Sequence, residues 1–205
     1  MEKITVFIYD QKEYKQWKDF YNNHQVLNIE YGNIFNTYAD CLVTAGNSYG
    51  MMDGGIDGHV NYFFDGIEKR VQQKILKQWY GELPVGASLV FETPNNQHFK
   101  HLCYAPTMRT PMNVSLTNNA YLAMRGALVQ CAKYPSIKTI AVPMLCRGVG
   151  CMSCENILRQ IRHAYSTFVY PTPRKWSAIV KESHGINTIE DTVEDNTIDG
   201  CYINI

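Results

Sequence analysis

One stretch limits what this chain can fold into more than any other. From Val43 to Gly58 it reads VTAGNSYGMMDGGIDG, with five glycines, one asparagine and two aspartates in sixteen residues. The stretch runs directly out of the apolar segment Cys41–Val43. A plain turn needs one or two such residues. An apolar run of strand length that opens into glycine marks the end of a strand buried on both faces. Glycine without bulk then lets a ligand come close to the backbone. The chain is therefore expected to carry a buried strand whose carboxyl end lets something approach the backbone.

The remaining pattern supplies the layers around that strand. Strands are expected at Lys3–Tyr9, Val26–Tyr31, Asp40–Ala45, Ser88–Glu92, His101–Ala105 and Lys138–Val142. Helices are expected at Gln11–Asn22, Ile56–Phe64, Gly66–Trp79, Ser115–Lys133 and Ser153–Phe168. Ile67, Val71, Ile75 and Trp79 fall on one helical face, as do Leu116, Ala120, Ala123, Ala127 and Cys131. Ser153 is expected to cap the last helix, with Glu155 in its first turn. Alternating strands and helices define an α/β domain with a mixed sheet.

A chain of 205 residues suits one domain plus a tail. The expected division is a domain over residues 1–181 and an acidic tail over 182–205. The formal charge is zero, but the tail holds six acidic residues and no Lys or Arg, so the body carries 19 basic against 13 acidic. That mild positive balance is not gathered into a Lys/Arg stripe, and nucleic acid is not the expected partner. No run of 18 apolar residues exists, so no membrane span is expected. The first residues read as a strand and not as a signal peptide, so a cytoplasmic chain is expected. Seven cysteines, an odd number, are expected as free thiols.

A second glycine loop echoes the first. IAVPMLCRGVG, from Ile140 to Gly150, also leaves a strand and precedes a helix. In open α/β sheets ligands sit outside the carboxyl ends of strands, and helix N-termini offer peptide N–H groups to an anion. Two such loops could close over a diphosphate from two sides, or both could be ordinary strand-to-helix turns. Neither G-x-G-x-x-G nor G-x-x-x-x-G-K-[ST] is present, so a dinucleotide fingerprint or P-loop is not supported.

The residues carry a resemblance. Asn47, six residues, then Gly54, Gly55, Ile56 and Asp57 resembles the N-x6-G-G-[VIL]-D signature of macro domains. ADCLVTAGN, from Ala39 to Asn47, is similar to their DAIVNAAN strand. Tyr31 to Ile34 sits where the family has its G-D-I motif, and Ala141–Pro143 with Gly148–Gly150 resembles the second ligand loop. GELPVG from Gly81 to Gly86 and APTMR from Ala105 to Arg109 are similar to a microbial and viral branch. The resemblance spans about residues 3–170. It implies a three-layer α/β/α macro-like domain with a central mixed sheet that binds ADP-ribose or a derivative. By position, Asn33 and Ile34 would meet adenine, with Asn33 replacing the family's aspartate. Gly54, Gly55, Ile56 and the loop Cys146, Arg147, Gly148, Val149 and Gly150 would hold diphosphate and distal ribose. Asn47 would bond the distal ribose, and Asp57 would orient or activate water. No cofactor or metal is implied. The expected partner is an ADP-ribose-type small molecule or an ADP-ribosylated protein. Two activities fit: hydrolysis of an ADP-ribose derivative (a mono-ADP-ribosyl ester or ADP-ribose-1″-phosphate), or non-catalytic reading of ADP-ribose. An ADP-ribosyl-nucleic-acid hydrolase rests only on the basic body.

Plainer roles stand beside these. Asp57 could merely favour a helix dipole, and Asn47 could bond its own turn. Asp53 is expected to cap the helix that follows it. His59 is displaced from the family's histidine, and a structural role is its default. Cys146, Cys151 and Cys154 have the spacing of three ligands of an iron–sulfur site, but no fourth ligand is evident, and loop thiols are the preferred reading. Cys103 and Arg109 fit the C-x5-R spacing of cysteine phosphatases, yet the segment between lacks glycine and Cys103 reads as a buried strand residue. Arg109 suits a phosphate or a surface salt bridge.

Overall fold

The computed structural model describes residues 1–171 and 175–183. Residues 184–205, most of the expected acidic tail, lie outside the described residues. Six strands form one sheet: β1 (Lys3–Ile8), β2 (Leu27–Tyr31), β3 (Ala39–Asn47), β4 (Leu89–Glu92), β5 (Phe99–Met108) and β6 (Thr139–Pro143). Their order is β2-β1-β6-β3-β5-β4. Every pairing is parallel except β4 with β5, so the sheet is mixed. Helices α1 (Gln11–Trp17), α2 (Gly55–Phe63), α3 (Ile67–Trp79), α4 (Asn119–Cys131), α5 (Cys154–Val169) and α6 (Trp176–Ser183), with a short 3-10 helix at Ile34–Asn36, complete the described elements.

The strands bury both faces, and their alternating side chains feed two cores. Val6, Cys41, Val43, Cys103, Ala105 and Val142 pack with α4 and α5 on one face. Phe7, Leu42, Leu102, Tyr104 and Ala141 pack with Val60, Val71 and Ile75 of α2 and α3 on the other. The result is the expected α/β/α arrangement. It follows from the period-2 alternation within strands that are apolar on both sides.

Several boundaries differ from the sequence expectation. Helix α1 stops at Trp17 and turns follow, with Asn23 in the left-handed region. Tyr21 is drawn inward there, its hydroxyl donating to the Leu158 carbonyl at 2.6 Å. Helix α4 begins at Asn119, four residues after Ser115, because Asn113 Oδ1 takes the Ser115 N–H and builds a turn instead. Leu116 is therefore 99% exposed and not part of the inner face. Trp79 sits in the last turn of α3 and is 36% exposed, whereas Ile67, Val71 and Ile75 are buried. Strand β5 extends three residues past Ala105, through Pro106, along β3. Ser153 caps α5 as expected, its hydroxyl accepting from the Asn156 N–H at 3.2 Å.

Candidate functional site

The two glycine loops leave neighbouring strands. β3 and β6 pair in parallel, so both chains exit the same edge of the sheet side by side. The residues after β1, β2 and β5 reach that edge as well, because those strands run in the same direction. β3 returns through α2 and α3 on one face, whereas β6 returns through α5 on the other. Crossovers that diverge to opposite faces leave a crevice between them at the carboxyl edge.

Two glycines in this crevice have no structural need to be glycine. Gly54 is in extended conformation, and neither it nor Gly148 has an atom within 4 Å of the place a Cβ would occupy. Neither position has a positive φ. Gly55 also faces open space, but its φ of 56° independently favours glycine. Gly54 is the N-cap of α2 and makes no side-chain cap, so the first N–H groups of that helix receive no side-chain acceptor from the cap. Asp53, expected to cap α2, is exposed and makes no such bond.

Other glycines serve the fold. A Cβ on Gly46 would fall inside the Tyr104 ring, and one on Gly150 would strike the Cys146 carbonyl and approach Val114 Cγ2 to 2.9 Å. Gly150 is buried, so within the second loop only Arg147, Gly148 and Val149 are exposed. Cys146 is buried with a φ of 65°, and burial pushes its thiol up to about 12. Its side chain faces the Thr107 carbonyl and not the crevice. Arg147 is turned toward α1, where its guanidinium pairs with Glu13 and donates to the Met152 carbonyl at 3.3 Å. That contact ties the second loop to α1.

Asp57 sits in the first turn of α2, 6% exposed, with the Thr44 hydroxyl donating to its Oδ1. Burial, reinforced by the nearby Asp53 carboxylate and opposed by the Thr44 bond, raises its carboxyl to about 6. A carboxyl poised there exchanges protons near neutrality, as general acid–base work requires. Asn47 ends β3 with its side chain spent on its own loop. Its Oδ1 accepts from the N–H groups of Tyr49 and Met51 at 3.0 and 3.3 Å, and its Nδ2 donates to the Met51 carbonyl at 2.7 Å. Asn33 is exposed after β2, and its Oδ1 accepts from the Phe35 N–H at 3.0 Å. Ile34 beside it is buried, and Ile56 is half-buried. His59 is exposed on α2, with its ring 6.4 Å from that of Phe35.

Arg109 is already paired. It makes a two-pronged ion pair with Glu82 at 2.6 and 3.0 Å, and its guanidinium lies over the Tyr49 ring at 5.4 Å. Tyr49 donates to the same carboxylate at 3.1 Å. The cysteine-phosphatase spacing has no cradle. Cys103 is fully buried in β5, and the neighbouring Cys131 thiol together with burial holds it well above the ordinary thiol range. Among the described residues no group of three or more His, Cys, Asp or Glu could hold a metal ion. The described cysteines are free thiols, and Cys201 lies outside the described residues.

Sequence reasoning missed the groups that hold the first loop. Thr44 positions Asp57, and Tyr104 bonds the backbone of Asn47. Glu68 on α3 accepts from the Met52 N–H at 2.9 Å and steadies the loop's middle. Thr44 had a signal, as the lone hydroxyl in the apolar run between Asp40 and Gly46. Tyr104 and Glu68 had none.

The six-stranded mixed sheet with helices on both faces, and a crevice where β3 and β6 end side by side, defines an α/β/α domain. The chain belongs to the Macro domain family, whose profile matches residues 43–161. A protein of Aquifex aeolicus is 31% identical over 125 residues, covering 60% of this chain and 71% of that one. Among solved structures, the macrodomain of Mycobacterium tuberculosis DarG superposes with a TM-score of 0.58 at 20% identity, covering 66% of this chain and 87% of that one. Thermosipho africanus DarTG in complex with ADP-ribose gives 0.55 at 17% identity, covering 80% of this chain and 50% of that one. At those identities the structural likeness establishes the fold. Among the described residues no helix is long and apolar enough to cross a membrane.

Proposed function

We propose that this domain binds ADP-ribose or a related NAD-derived nucleotide and hydrolyses an ADP-ribose derivative of the mono-ADP-ribosyl ester or ADP-ribose-1″-phosphate type. The observation that carries the binding reading is the open space at Gly54 and Gly148. Glycine is unexplained by the fold at both positions, and a ligand pressed against both backbones explains it. The diphosphate lies between the two loops, taking N–H groups from the start of α2 and from the backbone of Arg147 to Val149. Adenine lies toward Asn33 and Ile34, beyond the end of β2. The ADP-ribose in the Thermosipho relative's complex supports the same ligand class.

Hydrolysis is assigned to Asp57. Its ionised carboxyl takes a proton from a water whose oxygen attacks C1″ of the distal ribose. The bond from C1″ to the ester oxygen breaks, and the electron pair leaves on the released carboxylate. The raised carboxyl of Asp57 makes it a competent base above about pH 6.

A second reading has its own support. Asp57 is almost fully covered and bonded to Thr44, and the Asn47 side chain is committed to its loop. Both features suit a reader that holds ADP-ribose without turnover. Assays on an ADP-ribosylated acidic peptide and on ADP-ribose-1″-phosphate separate the two. A hydrolase releases product and loses its rate in Asp57→Ala with a modest change in affinity. Binding without turnover on either substrate establishes the reader.

A further inference from the structure

The ladder between β3 and β5 fails where the glycine loop begins. Gly46 pairs with Pro106 but Asn47 pairs with Met108, so the register slips and Thr107 is left out of the pairing. Pro106 has no N–H to give across the slip. A slip of this kind leaves backbone polar groups without ladder partners, and buried ones must be satisfied elsewhere.

One side chain does this for Asn47. The Tyr104 hydroxyl accepts from the Asn47 N–H at 3.0 Å and donates to the Asn47 carbonyl at 2.8 Å. Tyr104 is fully buried and its ring passes beneath Gly46, the one residue type that leaves room for it. Thr107 closes the gap from the partner strand, its hydroxyl donating to the Gly46 carbonyl at 3.2 Å. Orientation then passes up the chain, because the Asn47 side chain gathers the N–H groups of Tyr49 and Met51.

We propose that Tyr104 is a positioning residue for ligand binding: its hydroxyl satisfies both backbone groups of Asn47 at the register slip and sets the direction in which the loop from Asn47 to Gly55 leaves the sheet. The inference rests on that loop being the ADP-ribose site. Tyr104 touches no ligand and acts through Asn47. Burial and the Asp57 charge hold its phenol well above the ordinary tyrosine range, so it remains a donor throughout the working pH range.

Tyr104→Phe keeps the ring and removes the hydroxyl. Two readouts decide the proposal: hydrogen–deuterium exchange across Asn47 to Met52, and the ADP-ribose dissociation constant from calorimetry, at a temperature where the variant is fully folded. Exchange is expected to accelerate and the dissociation constant to rise, each by about tenfold. Unchanged affinity in the folded variant overturns the proposal even if exchange is faster, since the hydroxyl would then serve the fold alone. If the wild type binds no ADP-ribose, the ligand assignment falls separately, and unchanged loop exchange in Tyr104→Phe still overturns the positioning role. Should Tyr104→Phe not fold, the wild type decides: the Asn47 amide, held by the Tyr104 hydroxyl, is expected to be protected from exchange and to slow further with ADP-ribose bound, and an unprotected Asn47 amide overturns the proposal.

Discussion

Thr44 and Tyr104 face each other in the register of β3 and β5, and each holds a different residue of the glycine-loop signature. Thr44 donates to the carboxylate of Asp57, and Tyr104 bonds the backbone of Asn47. Both side chains point to the α2–α3 face of the sheet, directly beneath the loop. The signature spacing between Asn47 and Asp57 is thus anchored at both ends by one cross-strand pair.

The buried carboxyl of Asp57 makes stability depend on pH. Its value of about 6 in the folded chain exceeds the ordinary 3.8, so the folded state keeps a proton that the unfolded state releases. Stability from this group is present at low pH and is lost as pH rises to about 6, by about 3 kcal/mol in all. Asp57→Asn keeps an acceptor for Thr44 and carries no charge. Urea denaturation is expected to find the variant about as stable as wild type near pH 4 and more stable by about 2–3 kcal/mol at pH 7. A variant that gains nothing over that interval contradicts the burial of a titrating carboxyl.

The Thr44 hydroxyl lowers the Asp57 value against the pull of burial. Thr44→Val is therefore expected to move the Asp57 titration to higher pH, read by carbon NMR of the carboxyl, and to shift the acidic limb of any hydrolysis in the same direction. Thr44→Ser should restore both. An unmoved titration in Thr44→Val would mean that the bond contributes nothing to the carboxyl's balance.

The glycines divide into two groups that mutation can tell apart. Gly54→Val and Gly148→Val place methyls in open space, so thermal stability should change by less than about 0.5 kcal/mol while ligand affinity falls steeply. Gly150→Ala drives a Cβ against the Cys146 carbonyl and should cost more than about 2 kcal/mol. Paired melting and binding curves for the three variants check this. Equal destabilisation in all three would remove the argument for an open crevice.

Asn33 is exposed, and its one carbonyl oxygen already accepts from the Phe35 N–H. Asn33→Asp keeps that bond and adds a second, charged acceptor for the adenine amino group. Its affinity for ADP-ribose should rise several-fold, with no gain for the analogue carrying hypoxanthine. Equal gains for both ligands would place adenine elsewhere.

What could be read in the sequence depended on whether a residue acts locally. The apolar run into Gly46, the Ser153 cap and the inner face of α3 from Ile67 through Val71 to Ile75 follow from neighbours in the chain, and all are present. The α/β class with a mixed sheet follows from the same periodicities, and the three-layer α/β/α form was what the macro-domain resemblance implied. Failures came where a distant group intervened. Tyr21 leaves the α1 helix to reach the Leu158 carbonyl, 137 residues on. Arg147, which the resemblance assigned to the ligand loop, is turned to Glu13, and Arg109 takes the salt bridge that was one of its two readings, with Glu82 as a partner the sequence could not name. The signature of Asn47 and Asp57 was legible because its spacing is fixed within one loop. Its supports on β5 and α3 were not, because Tyr104 and Glu68 become neighbours only once the sheet and its crossover exist.

The most direct measurement is calorimetric titration of the wild-type protein with ADP-ribose, beside AMP and NAD, repeated on Gly148→Val. Saturable heat at micromolar affinity or tighter, with ADP-ribose preferred and the heat lost in the variant, is the expected result. No saturable heat with ADP-ribose, or the same affinity in Gly148→Val, would contradict a ligand seated between the two glycine loops.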